Sequence, residues 1–315
     1  MAVKILARVG IFVLTLLVAS LVVFGFMNVL PGDPARTALG LNADEASVAT
    51  LREKFGLNRP WPVRYFEWIG GMLHGDFGRA WIGDFDLGPE ISEKLSRTLV
   101  LVVCGMIIAV VIALPIGTIM AVRHRKPSGL AMSVLSQMGV AIPAFALGLF
   151  LINSLAINRD WFIVGGYTAP QEDFGRFLRQ ITLPALALGL VQGAVLSRYV
   201  RSAMLDVLKT DYMRTARAKG LTPYRAIVRH GLRNAAIPVV TVLGLQLATL
   251  LIGAVVVEQV FDIPGIGRML LSEVANRDLI GVQSIVMILV ALTLLITLLV
   301  ELLYVVLDPR LRCNR

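Results

Sequence analysis

Charge is scarce in this chain. Only 16% of its 315 residues are Asp, Glu, Lys or Arg, 57% are hydrophobic, and the mean hydropathy of +0.76 excludes an ordinary soluble globular protein. Cysteine is nearly absent as well. Cys104 lies inside an apolar run and Cys313 in the C-terminal tail, so neither a disulfide framework nor a thiolate metal site is indicated. The three histidines, His74, His124 and His230, flank the apolar runs without metal-ligand spacing. No G-x-x-x-x-G-K-[ST] phosphate loop occurs, which removes the usual backbone cradle for ATP. No Ser/His/Asp constellation occurs either, so no catalytic, cofactor or metal residues are expected. If this chain moves a solute uphill, the energy must arrive through a partner.

What is present is a set of six apolar runs. The first, residues 9–30, is 22 residues without a charge and follows Lys4 and Arg8. That length suits the roughly 20 residues needed to cross a bilayer. A secretory signal has an apolar core of only about 7–15 residues, so an uncleaved anchor with its N-terminus inside is expected. Five further runs cover residues 98–122, 130–157, 181–200, 235–257 and 282–307. Pro115, Pro143, Pro184 and Pro238 fall in four of the six, which predicts kinked helices whose freed carbonyls are satisfied by neighbours or by a water-lined path. Between the first two runs lies a polar segment reaching Arg97, opened by Leu30-Pro31-Gly32-Asp33-Pro34. Apolar spacing over residues 48–55 and 63–73 predicts short amphipathic helices there, lying at an interface where Trp and Tyr are at home.

The basic residues sort by side. With the N-terminus inside, cytoplasmic segments hold 17 Lys/Arg and the two short external loops hold five. The long polar segment is set aside because long loops translocate regardless of charge. Residues 198–233 alone carry nine Lys/Arg against Asp206 and Asp211, or +7 of the chain's +9.

The local code of that stretch describes two short helices and a tight corner. Asp211 is the expected N-cap of the first, over an Ala-rich run from Thr215 to Lys219, and Gly220 is the expected left-handed residue that closes it. Thr222 followed by Pro223 repeats the start signal, and a second helix is expected from Tyr224 to about Arg233. Ala216 and Gly220, one turn apart, predict a shallow face that another protein could approach. The same pattern fits a DNA-binding helix-turn-helix, or a basic segment facing anionic lipid.

Thr215-Ala216-Arg217-x-x-Gly220, followed by Ile237-Pro238, resembles the EAA loop of ABC-importer permease subunits, with Thr in place of the usual Glu. The fuller string ARAKGLTPYRAIVRHGLRNAAIPVVT, residues 216–241, is similar to the dipeptide/oligopeptide/nickel branch of that family, as are LPGDP, GLNRPWPVRY and GDFG in the polar segment. The resemblance implies an ATPase-coupling element carried by Asp211, Tyr212, Arg214, Thr215, Ala216, Arg217, Gly220, Leu221, Thr222 and Pro223. Residues 258–268 resemble the family's E-x-x-F-x-x-P-G-x-G-R segment, a short external helix near the mouth of the pathway, which singles out Glu258, Phe261, Pro264 and Gly265 as an external gate loop. Among polar residues inside the runs, Gln137, Asn153, Gln192 and Gln246 either hydrogen-bond neighbouring helices or line a route for a polar solute. Glu301 is the one acid within a run; it lies seven residues from Asp308 and reaches the interface.

These readings converge on an all-α membrane protein with six transmembrane helices and the type I ABC importer permease fold. Residues 1–97 form the anchor helix and an extracytoplasmic segment, and residues 98–315 form the permease core, with coupling helices at 211–233. The resemblance implies a second, homologous permease subunit, two cytoplasmic ABC ATPases holding ATP and Mg, and an extracytoplasmic solute-binding protein. Surrounding lipid completes the expected partners, and nucleic acid is not among them. The expected place is a bacterial inner membrane, with both termini cytoplasmic, and the expected cargo is short peptides. A nickel-chelate or glutathione permease of the same branch is the alternative. An ion-driven secondary carrier, the competitor from another class, would show an internal repeat of spans and mid-membrane acids, and neither is found.

Overall fold

A computed structural model describes residues 2–29, 34–39, 44–81 and 83–307. Leu30 to Asp33 of the first turn, and the tail with Asp308, Arg310, Arg312, Cys313 and Arg315, lie outside the described residues. The described residues are helical apart from connecting loops and one isolated antiparallel bridge, Arg79 with Asp86.

Five helices are long and apolar enough to cross a membrane: α1 (Ala2–Val29), α5 (Leu87–Val122), α8 (Phe174–Leu208), α11 (Leu232–Val260) and α13 (Leu279–Leu307). The sixth expected span is a bent pair. α6 (Pro127–Ala141) and α7 (Ala144–Leu151), the latter continuing through a wide π-helical turn over Ile152–Ile157, meet at 94°. Pro143 is the cause. Its ring pushes Ile142 out of the helical region, to ψ 121°, and its own ψ of 140° cannot continue a helix. Pro115, Pro184 and Pro238, by contrast, sit inside uninterrupted helices. Of the four prolines, only Pro143 breaks its helix.

Two helices outrun their apolar cores. α5 starts eleven residues earlier than residue 98, where the apolar run begins, because Glu90 with Lys94 and Glu93 with Arg97 form i,i+4 pairs on its polar first turns. α8 starts at Phe174 because the Asp173 carboxylate accepts the backbone N–H of Arg176 at 2.9 Å.

The chain divides into two compact units, with α5 and α13 each contributing to both. One holds residues 1–98 and 264–295. Its polar segment forms α2 (Pro34–Leu39), α3 (Glu45–Lys54) and α4 (Trp61–Leu73), so a helix stands at each expected place; α4 is amphipathic, whereas α3 is polar nearly all round and buries Val48 alone. α4 is pinned to α1 by the Tyr65 hydroxyl and Ser20 Oγ, 2.7 Å apart, and by an edge-on contact of Tyr65 with Phe24 at 5.4 Å. Asp278, 1% exposed, accepts from the backbone N–H of Gly281 at 3.0 Å and of Trp81 at 2.6 Å, tying the start of α13 to the loop before α5.

The other unit holds residues 99–263 and 296–315. α8 is its axis, packed against α6, α7 and α11. Backbones come close where side chains are small: a Cβ at Gly189 would lie 2.6 Å from Ile108 Cγ2 and 2.8 Å from the Gly105 carbonyl. Ser136 on α6 donates to the Ala194 carbonyl at 2.9 Å and lies 3.0 Å from Ser197 Oγ, and Gln192 donates to Gln246 Oε1 on α11 at 2.7 Å. In lipid, such interhelical bonds replace the hydrophobic drive that holds a soluble core together.

Candidate functional site

The basic stretch folds as a corner between α8 and α11. The N-cap position of α9 (Asp211–Ala218) falls to Thr210 and not to the expected Asp211, and the Thr210 hydroxyl donates to the Val207 carbonyl at 2.5 Å without capping the helix. Thr210 has the extended backbone of a cap, φ −73° and ψ 151°, whereas Asp211 is already helical. The Asp211 carboxylate instead stands in the first turn, 3.6 Å from Arg214 Nη1, where a negative charge also suits the helix dipole. Gly220 closes the corner as expected, with φ +87°. Its N–H donates to the Arg217 carbonyl at 2.9 Å, and that of Leu221 to Ala216 at 3.3 Å.

Thr222 caps the next helix, accepting from the backbone N–H of Arg225 at 3.4 Å, and Pro223 takes the first position. α10 (Pro223–Ala226) does not end near Arg233, however. It passes through a π-helical turn over Ile227–Gly231 directly into α11. Nothing halts it: Gly231 keeps right-handed angles, φ −64° and ψ −60°, and the residues beyond it are Leu232, Arg233, Asn234 and Ala235. The second half of the corner is therefore a helical extension of α11, whose apolar span begins at Pro238.

Burial separates the ten residues of the expected coupling element. Ala216 is 8% exposed and packs with Met213, Ala226 and Ile227 against Val200, Ala203 and Met204 of α8, with Leu221 beside this cluster. The shallow face expected from Ala216 and Gly220 is thus absent, because α9 turns Ala216 inward while Gly220 faces open space. Asp211, Tyr212, Arg214, Thr215, Arg217, Gly220, Thr222 and Pro223 are exposed and form the outward surface. Tyr224, at 75% exposure, extends it.

Of the polar residues inside spans, Gln192 and Gln246 bond to each other, so helix packing accounts for both. Asn153 is exposed on the π-helical turn after α7. Gln137 lines a cavity of about 460 Å³ with Ser133, Arg198, Tyr199, Arg201 and Ser202. Sequence reasoning singled out neither Arg201 nor Tyr199 as a functional residue; the signal available was a basic pair, Arg198 and Arg201, within the last three turns of a span.

The loop after α11 is anchored on both sides of its turn. Glu258 and Phe261 are buried, at 0% and 1% exposure, and the Phe261 ring lies where a Cβ on Gly148 would stand, at 2.8 Å. The Pro264 carbonyl accepts from Arg97 Nη1 at 3.2 Å, and Thr98 Oγ1 accepts the N–H of Ile266 at 2.9 Å, which sets the start of α12 (Ile266–Asn276) just after Gly265. On α12, Glu273 packs against Gly281, and burial, reinforced by Asp278 and Glu90, raises its carboxyl to about 6.

A bundle of apolar helices with a Gly-turned basic corner between α8 and α11 is the arrangement expected of an ABC-importer permease subunit. Residues 113–312 match the family described as binding-protein-dependent transport system inner membrane component, and residues 1–82 match its N-terminal counterpart. The chain belongs to that family, in its dipeptide/oligopeptide/nickel branch.

Among curated relatives, the glutathione transport system permease protein GsiC of Salmonella typhimurium is 40% identical over 299 residues, covering 95% of each chain. The probable peptide ABC transporter permease protein y4tP of Sinorhizobium fredii is 35% identical over 312 residues, covering 99% of this chain and all of the other. Among solved structures, an inward-facing MetNI methionine ABC transporter aligns with a TM-score of 0.60 at 17% identity, over 70% of this chain and 98% of the other. An amino acid ABC transporter aligns at 0.52 and 21% identity, over 70% and 94%. The fold is thus that of ABC importer permeases, and the chain is a multi-pass inner-membrane transport component, not an enzyme.

Proposed function

We propose that this permease forms half of the pathway for short peptides, glutathione included, and that the α9–α10 corner is where ATPase motion enters it. The observation that carries this reading is the continuity of α10, the π-helical turn and α11. Force applied at Pro223 and Tyr224 acts on a helix continuous with α11, with no loop between, while force applied to α9 reaches it through the corner at residues 219–222. Burial of Met213 and Ala216 against α8 passes the same push to the axis of the bundle. Two ATPase subunits closing on ATP would then tilt these helices as rigid bodies and expose the pathway alternately to each side. A second, homologous permease subunit would complete the pathway, and an extracytoplasmic binding protein would deliver the cargo.

The peptide class rests on the names of the relatives at 35–40% identity. The test is uptake into proteoliposomes containing the permease pair, the ATPases and the binding protein, with labelled dialanine, glutathione and a nickel–histidine chelate. ATP-dependent accumulation of the two peptides but not the chelate is expected. Accumulation of the chelate alone would overturn the peptide class and leave the coupling reading intact.

A further inference from the structure

An open cleft of about 460 Å³ bounded by α5, α6 and α8 has an unusual wall for a membrane span, with Gln137, Arg198, Tyr199 and Ser202 exposed along it and Arg201 half-buried. Six of its eight lining residues are polar: Ser133 and Gln137 from α6, and Arg198, Tyr199, Arg201 and Ser202 from α8. The two arginines bring two positive charges, and no carboxylate lines the space. Arg201 Nε is buried without a hydrogen-bond partner. An unmet buried donor costs roughly 1–3 kcal/mol, more when charged, so an anion reaching Arg201 from outside this chain would relieve that cost. Guanidinium nitrogens form a planar fork that holds both oxygens of a carboxylate at once.

Depth argues for a solute over a lipid headgroup. Gln137 stands ten residues into α6, about 15 Å along the helix from Pro127, and its amide offers a donor and an acceptor where lipid tails would require an apolar surface. The cavity also lies at the end of α8 that leads into α9, next to the corner through which the helices are pushed.

We propose that Arg198 and Arg201, with the hydroxyls of Ser133, Tyr199 and Ser202, form a binding site for the terminal carboxylate of a peptide in transit, with Gln137 meeting a peptide amide. The assignment rests on the peptide reading above for the identity of the solute. Every linear dipeptide carries the group that Arg201 lacks. Helix motion beside α9 would change the spacing of the two arginines and release the anion.

The test uses the assembled transporter without its binding protein, in nanodiscs of phosphatidylcholine, and measures equilibrium binding of dialanine and of dialanine amide. The wild type is expected to bind the acid at least tenfold more tightly than the amide. Arg201→Gln should erase that preference, Arg201→Lys should restore part of it, and Tyr199→Phe with Ser133→Ala should weaken the acid alone. ATPase activity in detergent verifies that each variant is assembled. Equal binding of acid and amide by the wild type, or a preference that survives R201Q, overturns the site.

Displacement of dialanine by added phosphatidylglycerol would reassign the cavity to lipid phosphate. A glutamate of another subunit found paired with Arg201 in the assembly would also overturn the proposal. Binding-protein-dependent uptake of dialanine is run in parallel. Uptake without carboxylate preference removes this inference alone, whereas no peptide uptake removes the peptide reading with it.

Discussion

Gly220 and Ala216 stand one turn apart and obey different physics. Gly220 holds φ +87° in open space, so a side chain there meets no neighbour but forces a left-handed backbone that costs about 1–2 kcal/mol for an L-residue. Gly220→Val is expected to leave the spans folded, keep ATP hydrolysis in the assembly, and reduce peptide uptake at least tenfold. Gly220→Asn, which tolerates that region, should keep most uptake. Unchanged transport by the valine variant would sink the coupling assignment. Ala216 is buried among Met213, Ala203 and Met204, so Ala216→Leu overpacks a full core and costs about 1–3 kcal/mol. A lower melting temperature of the purified complex is the readout. Spacing alone puts both residues on one face; only the packing of α9 on α8 tells them apart.

Elements carry the next predictions. The π-helical turn over Ile227–Gly231 transmits the corner's motion if it is stiff. Val228 and Arg229 are exposed on it, and replacing both with glycine weakens the turn by about 1 kcal/mol in total without disturbing the core. Uptake should fall several-fold while hydrolysis persists.

On α12, Glu273 is held near 6, above the ordinary carboxylate value of 4.5, so the folded state binds its proton more tightly than the unfolded state does. Stability from this group is therefore full below about pH 4.5 and declines as pH rises through 6. The charged groups facing it are Asp278, Glu90 and Lys94. Glu273→Gln should flatten the pH dependence of melting between those values, and an unaltered slope would show that another group titrates.

For the whole molecule, the uneven basic charge predicts a topology that labelling can read. In a background without Cys104 and Cys313, Arg125→Cys should react with an impermeant maleimide only after permeabilisation, and Glu172→Cys should react on intact cells. The reverse pattern would place the α9–α10 corner outside, away from ATP, and end the coupling reading. At this scale the composition was already decisive: a chain with 57% hydrophobic residues has lipid for a solvent. The long apolar runs then satisfy their own backbone as helices.

Local chemistry was legible from the sequence because it is short-ranged: six apolar runs, the Gly220 turn, the Thr222–Pro223 start and the amphipathic helices of the polar segment each depend on a few neighbouring residues. Tertiary structure alone decided the rest. The inward turn of Ala216, the Gln192–Gln246 bond and the Arg201 cavity depend on groups far apart in the chain. Such contacts leave no mark on local periodicity, since what a buried polar group touches is set by the helix packed beside it.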